Sequence, residues 1–281
     1  MKYFIKTCEY LFKLEKGKRF FLLFLFALPI GVAIAAAMPQ GSLINWLSDF
    51  NAATSFREAW SYNGNINILV SGLAVPITFV LILFFLSVMT TVISRSLRVG
   101  VFKAESVFRD CNESFIPVLQ GAFGYIVTAL LLKVLMTLLL QLISRIELAV
   151  IAAILTAIVA VITYVGFFML LTLGILYLPF MSFNGLGTFE AFIQAAGKLS
   201  GGTYRRMAFA VIIPSLIVPA IGMAVGVANS LIASVIVESV LNAVLLTYIV
   251  TLAFVSYYEI LGLTREDYPR EYFYYKPPRR R

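Results

Sequence analysis

The chain has 281 residues, 61% of them hydrophobic and 13% charged, with 22 Lys or Arg against 14 Asp or Glu and a net charge of +8; its mean hydropathy is +0.94. A soluble domain carries about a quarter of charged residues, so the composition specifies an integral membrane protein. There is no histidine and there are only two cysteines, Cys8 and Cys111, which removes the commonest general base, the usual imidazole metal ligand and the Ser-His-Asp arrangement together.

A bilayer core about 30 Å thick takes about 20 apolar residues per helix. Six stretches qualify, at about 20–38, 66–94, 115–143, 147–178, 207–230 and 233–257. They fill most of the chain and leave no gap large enough for a soluble domain. The fold expected is therefore all-α: one polytopic membrane domain with six transmembrane helices and additional interfacial amphipathic helices.

In chain order, residues 1–19 place Lys2, Lys6, Glu9, Lys13 and Lys16 at steps of three and four, with Phe4, Cys8 and Leu11 on another face. That spacing predicts an amphipathic helix lying in the membrane interface. The first span ends in "AIAAAMPQG", whose Ala35 and Ala37 imitate a signal-peptide cleavage site. A run of about 19 apolar residues is long for a signal core and favours a retained anchor. The external loop 39–65 carries Trp46, Phe50, Phe56 and Trp60, placed as aromatic anchors at the headgroup boundary.

After the second span, the segment 95–115 repeats the amphipathic pattern with Leu97, Val101, Ala104, Phe108, Cys111 and Phe115 against Arg98, Glu105, Arg109 and Asn112. A third copy, 189–199, sets Phe189, Phe192, Ile193, Ala196 and Leu199 against Glu190, Gln194 and Lys198. The chain thus parses as three units of interfacial helix plus two-helix hairpin, at 1–94, 95–178 and 179–258, followed by a basic tail at 259–281.

Positive charge is divided unequally between the two sides. The N-terminal nineteen residues hold six Lys or Arg, 95–113 four, 179–206 three and the C-terminal tail six, whereas the other loops keep only Arg57 and Arg145. Lys and Arg collect on the cytoplasmic side, so six spans with both termini cytoplasmic follow. The net charge is read as topology and attraction to anionic headgroups, with no nucleic-acid footprint.

Two ionisable residues lie inside apolar spans, where charge is costly and marks function by default. They are Lys133 in "ALLLKVLMTLLL" and Glu238 in "SVIVESVLNAV", a candidate intramembrane charge pair. In the fifth span Pro214 and Pro219 are expected to break the helix, and Gly222, Gly226, Ser230 and Ser234, four residues apart, are expected to allow close helix packing. Gly201 and Gly202 precede basic Arg205 and Arg206 and form a candidate elbow for docking a partner. No cofactor is expected, because "GLGTFE" lacks the rest of a phosphate-cradling motif.

Two families share features with 194–221. "QAAGKLSGGTYRRMAFAVIIP" resembles the cytoplasmic loop of permease subunits of binding-protein-dependent ABC importers: Gly201 and Pro214 have the separation of that family's Gly and Leu-Pro, with Ile213 before the proline. The family's glutamate position is here Ala195, and that glutamate-bearing loop docks on the ATPase. "GTFEAFIQAAGKLSGGTYRRM" and "VFKAESVFRDCNESFIPVLQGAF" together resemble the membrane domain of some bacterial glycerophosphodiester phosphodiesterases and of relatives without the catalytic part. No catalytic domain accompanies it here, so that activity does not transfer. The resemblances imply, first, a non-enzymatic scaffold or accessory subunit of envelope or transport machinery in a bacterial cytoplasmic membrane, with a membrane protein partner. The alternative is a permease or other transporter subunit, with a cytosolic ATPase at Gly201.

Overall fold

The computed structural model describes residues 2–37, 68–100, 107–143, 145–146, 148–228 and 231–266. The loop aromatics Trp46, Phe50, Phe56 and Trp60, and the tail from 267 onward, lie outside these residues. Among the described residues all regular structure is helical. Helix α1 (Lys2–Cys8) continues through a π-helical turn (Glu9–Lys13) and a 3-10 turn (Leu14–Gly17) into α2 (Lys18–Ala37). There follow α3 (Ile68–Val99), α4 (Val107–Ile143), α5 (Ala149–Gly174), α6 (Tyr177–Asn184), α7 (Thr188–Lys198), α8 (Gly201–Ala228) and α9 (Leu231–Leu261).

Six of these, α2, α3, α4, α5 with α6, α8 and α9, are long and apolar enough to cross a membrane. At 1.5 Å per residue even the 20-residue α2 reaches about 30 Å, the thickness of the hydrocarbon core. The protein is thus a multi-pass, all-helical membrane protein. Helix α9 closes with the N–H of Leu263, just past Gly262, donating to the carbonyl of Tyr258 at 3.0 Å, the bond pattern that terminates a helix on a glycine.

Three expected elements take a different form. Residues 95–115 are not a separate helix: Arg95–Val99 finish α3, Val107 onward belongs to α4, and 101–106 lie outside the described residues. The charged turn at Arg109–Glu113 holds no glycine or proline to stop a helix, and Pro117 removes only one backbone donor. Helix α8 is unbroken through Pro214 and Pro219 over 28 residues, since the remaining ladder bonds carry the helix past each missing N–H. The fourth span is divided at Ile175 and Leu176, and α6 resumes beyond them.

The spans α2, α3, α4, α5, α8 and α9 each pack on the next, and α9 returns to α2 to close a ring. The longest seam joins α2 to α9. There Ala27, Gly31 and Ala35, one turn apart, present a small-residue stripe toward Ser239, Ala243 and Thr247, all of them buried. A Cβ on Gly31 would strike the backbone carbonyl of Ser239 and stand 3.0 Å from the nitrogen of Ala243, so the two backbones touch. Small residues permit such contact, and in lipid they drive it, because dispersion replaces the missing hydrophobic gradient. The sequence assigns this role to the glycines of α8; Gly222 is buried there, and what surrounds Gly226 lies outside the described residues.

Packing is uneven around the ring. Buried residues make up 56% and 50% of the apolar windows of α3 and α9 but only 20% and 13% of those of α4 and α5. Burial is thus deepest on α3 and α9, and the core extends from them onto α2, α6, α7 and α8, with an aromatic group of Phe180, Phe183, Phe254 and Tyr257 at the end of the bundle where the N-terminal segment meets the end of α9. Of the described side chains from 150 to 171, only Ala152 and Thr156 are buried.

Candidate functional site

The chemistry-bearing residues collect at the terminal end of the bundle, in two places. The first is built by the N-terminal segment. Its π-helical turn swings Tyr10 into the bundle, where the ring is fully buried. The guanidinium of Arg19 lies 4.8 Å from the ring centroid and that of Arg265 5.5 Å. Both arginines are about as buried as the core leucines, at 2% and 3% exposure. The face of an aromatic ring is electronegative, so it offsets part of the cost of removing these cations from water. Arg19 also donates to Glu15 at 3.0 Å. Glu15 has φ of +57°, and among the described residues no other non-glycine residue has positive φ. A side chain in the left-handed region costs about 1–2 kcal/mol, and the ion pair with Arg19 helps hold it there.

Further contacts lock the same corner. Lys2 pairs with Glu259 of α9 at 3.0 Å, Phe4 meets the Tyr248 ring with centroids 5.7 Å apart, and the N–H of Glu266 donates to the carbonyl of Leu97 at the end of α3. The residues turned inward are Tyr3, Thr7, Tyr10 and Leu11. Of the expected apolar face, Leu11 is buried, Phe4 is 41% exposed and Cys8 half-buried. Tyr3, Thr7 and Tyr10 share the helical spacing, and an arginine at the mouth of the first apolar run was the sequence signal for this cluster. Both were hidden because tyrosine and threonine count as polar in a hydropathy pattern. Partial burial pushes the Cys8 thiol above its ordinary range by desolvation.

The second place is the elbow between α7 and α8. Leu199 ends α7, and Gly201 opens α8 with φ of +55°, a conformation open to glycine at no steric cost. A Cβ at Gly201 or Gly202 would meet nothing within 4 Å, and Arg205 and Arg206 are exposed. The elbow is held from beneath by Ala191, Ala195 and Leu199, all buried, by Thr188 donating to Gln120 of α4 at 3.0 Å and by Tyr204 donating to the carbonyl of Met169 in α5 at 3.3 Å. The expected apolar set of α7 divides between the bundle and the outside. The small side chains of α7 face the bundle, while Phe189, Phe192 and Ile193 point away, at 76%, 45% and 55% exposure. Ala191 and Ala195 let the short helix sit close on the ends of α4, α5 and α6, which phenylalanine would not.

The ionisable residues of the spans are placed separately. Glu238 is buried on α9 at 1% exposure; Lys133 belongs to α4, and its side chain lies outside the described residues. Helices α4 and α9 are not among the neighbours that close the ring, since α3 stands between them on one side and α5 and α8 on the other. Polar bonds between helices do form elsewhere: Thr91 of α3 donates to Ser114 of α4 at 3.0 Å, Tyr248 of α9 to the carbonyl of Ala210 in α8 at 2.9 Å, and Tyr257 of α9 to Asn184 of α6 at 2.9 Å. Among the described residues, no three His, Cys, Asp or Glu side chains gather as ligands for a metal ion. No family model matches the chain, nor does any curated protein or solved structure, so the two resemblances rest on the residues that carry them.

Proposed function

We propose that this protein is a non-enzymatic six-span scaffold or accessory subunit of a bacterial cytoplasmic membrane, with both termini in the cytoplasm, which holds a membrane protein partner in an envelope or transport assembly. The observation that carries this reading is the uneven ring. Helices α3 and α9 are the most deeply buried spans, whereas α5 leaves apolar side chains bare around most of its circumference. A bundle well packed on one side that presents a poorly covered hairpin on the other is suited to adding α4 and α5 to another membrane protein. The excess of Lys and Arg at the terminal end supports the cytoplasmic assignment.

The openness of the elbow favours one second reading, a permease subunit with Gly201 and Gly202 beneath an ATPase and Arg205 and Arg206 at the contact. Purification in mild detergent, with the recovered proteins identified by mass spectrometry, tests both. The scaffold reading expects an integral membrane partner that is lost with Ile154→Asn and Ile158→Asn on α5 and kept with Gly201→Asp. A cytosolic ATPase lost with Gly201→Asp overturns the scaffold in favour of the permease.

A further inference from the structure

Helix α7 turns by about 100° per residue, and its side chains then sort into three adjoining sectors. Ala191, Ala195 and Leu199 form the sector seated on the bundle. Next to it come Phe192, Phe189 and Ile193, large and bare. The remaining sector is polar, with Glu190, Gln194 and Lys198 exposed. A helix at a water boundary needs two sectors, one toward the protein and one toward water. The third, apolar and exposed, calls for an apolar medium at the same level. The bilayer supplies it, because α7 is wedged against the ends of spans α4, α5 and α6 and its bare sector continues the apolar surface those spans show to lipid.

Charge identifies the lipid. Lys198 at the end of α7 and Arg205 and Arg206 in the first turns of α8 are all exposed, and Glu190 stands at the far end of α7, two turns from Lys198. We propose that the elbow of α7 and α8 is a docking surface for anionic phospholipid: Phe189, Phe192 and Ile193 enter among the acyl chains just below the headgroups, and Lys198, Arg205 and Arg206 gather the phosphates. Phenylalanine and isoleucine on one side with basic residues on the other is the arrangement that binds an anionic interface. This surface goes beyond the scaffold reading and does not depend on it, since it needs only that the chain spans a bilayer.

The test places a fluorophore on the bare sector. The full chain with Trp46→Phe and Trp60→Phe, which removes both native tryptophans, and with Phe189→Trp is reconstituted in phosphatidylcholine vesicles. A small fixed fraction of the lipid is brominated near the glycerol end of the acyl chains, as either phosphatidylcholine or phosphatidylglycerol. The indole is expected to be shielded from aqueous acrylamide and quenched several-fold more by the brominated anionic lipid, each basic residue contributing up to about fivefold in local enrichment. Combined Lys198→Gln, Arg205→Gln and Arg206→Gln is expected to lower that excess to the phosphatidylcholine level, and Gln194→Ala to leave it. Equal quenching by both lipids overturns the proposal, as does free access of acrylamide. Shielding that fades as the lipid-to-protein ratio rises overturns it in favour of a second copy of the chain on this face. If the Phe189→Trp protein fails to elute as the parent does, Ile193→Trp carries the same measurement.

Discussion

Replacing Gly31 with alanine tests the central seam of the bundle with a single methyl group. The new Cβ meets the Ser239 carbonyl oxygen and the Ala243 nitrogen, both backbone atoms of α9, with the Ala243 Cβ at 3.1 Å. No side chain is available to rotate out of the way, so α2 and α9 must separate along a seam that also holds Ala27 and Ala35. Overpacking of this kind costs about 1–3 kcal/mol, against a gain of about 0.5–1 kcal/mol for removing a glycine from a helix interior. The net expectation is a loss of about 1–2 kcal/mol. Gly124 provides the reference: it lies inside α4, and a Cβ there meets nothing within 4 Å, so Gly124→Ala keeps the helix gain alone. The two variants should differ by about 2 kcal/mol, about thirtyfold in the ratio of folded to unfolded protein. Reversible unfolding of the purified protein in mixed detergent and dodecyl sulfate reads this difference directly. Equal stabilities, or a more stable Gly31→Ala, would show that the helices do not approach as described.

Other expectations follow from the terminal end. Tyr10→Ala should lower stability by about 3–5 kcal/mol through the loss of a fully buried ring beneath two arginines, while Tyr10→Leu keeps volume without the π face and Tyr10→Phe keeps both. Thermal unfolding ranking Leu equal to Phe would remove the cation contribution. Gly201→Ala should cost about 1–2 kcal/mol, because its φ is +55°, and Gly202→Ala should not; equal effects in the same unfolding assay would refute the left-handed turn. In a Cys111→Ser background, alkylation of Cys8 should reach half its limiting rate at a higher pH than in the unfolded chain, since burial raises that thiol. The sign for stability is that the protonated thiol is favoured in the fold, so the contribution is complete below the unfolded thiol's pKa and is lost as pH rises through the raised value. Coincident midpoints for folded and unfolded chains would place Cys8 in water. Finally, Ala195→Phe should dislodge α7 from its seat, seen as protease cleavage within 185–200, while Phe189→Ser leaves cleavage unchanged in detergent.

The helices themselves were legible in the chain. The six apolar runs anticipate the long helices closely, because an apolar stretch of bilayer length must satisfy its backbone within itself and becomes a helix. The elbow was legible too, since two glycines before two arginines mark a break between a short amphipathic pattern and a long apolar one. Neither family resemblance was needed for either reading.

Which face of each helix turns inward was not legible, and the reason is physical. In water a buried face is the apolar one, but in a membrane the lipid is as apolar as the core, so hydropathy does not separate Gly31, pressed against α9, from the bare Ile158 on α5. Size and shape decide instead. Ala191 and Ala195 turn inward on α7 because they allow close approach, leaving Phe189 outside, and Tyr3, Thr7 and Tyr10 turn inward on the N-terminal segment because α9 and two arginines receive them. Sequence by itself determined the six long apolar helices, about where they run and that they belong in a membrane. Only the tertiary structure decided that α2 and α9 form the seam, that Tyr10 gathers Arg19 and Arg265 from the two ends of the chain, and that α7 carries a bare apolar sector. Each of those depends on which backbone comes close to which, and contacts between residues more than two hundred positions apart leave no local period in a sequence.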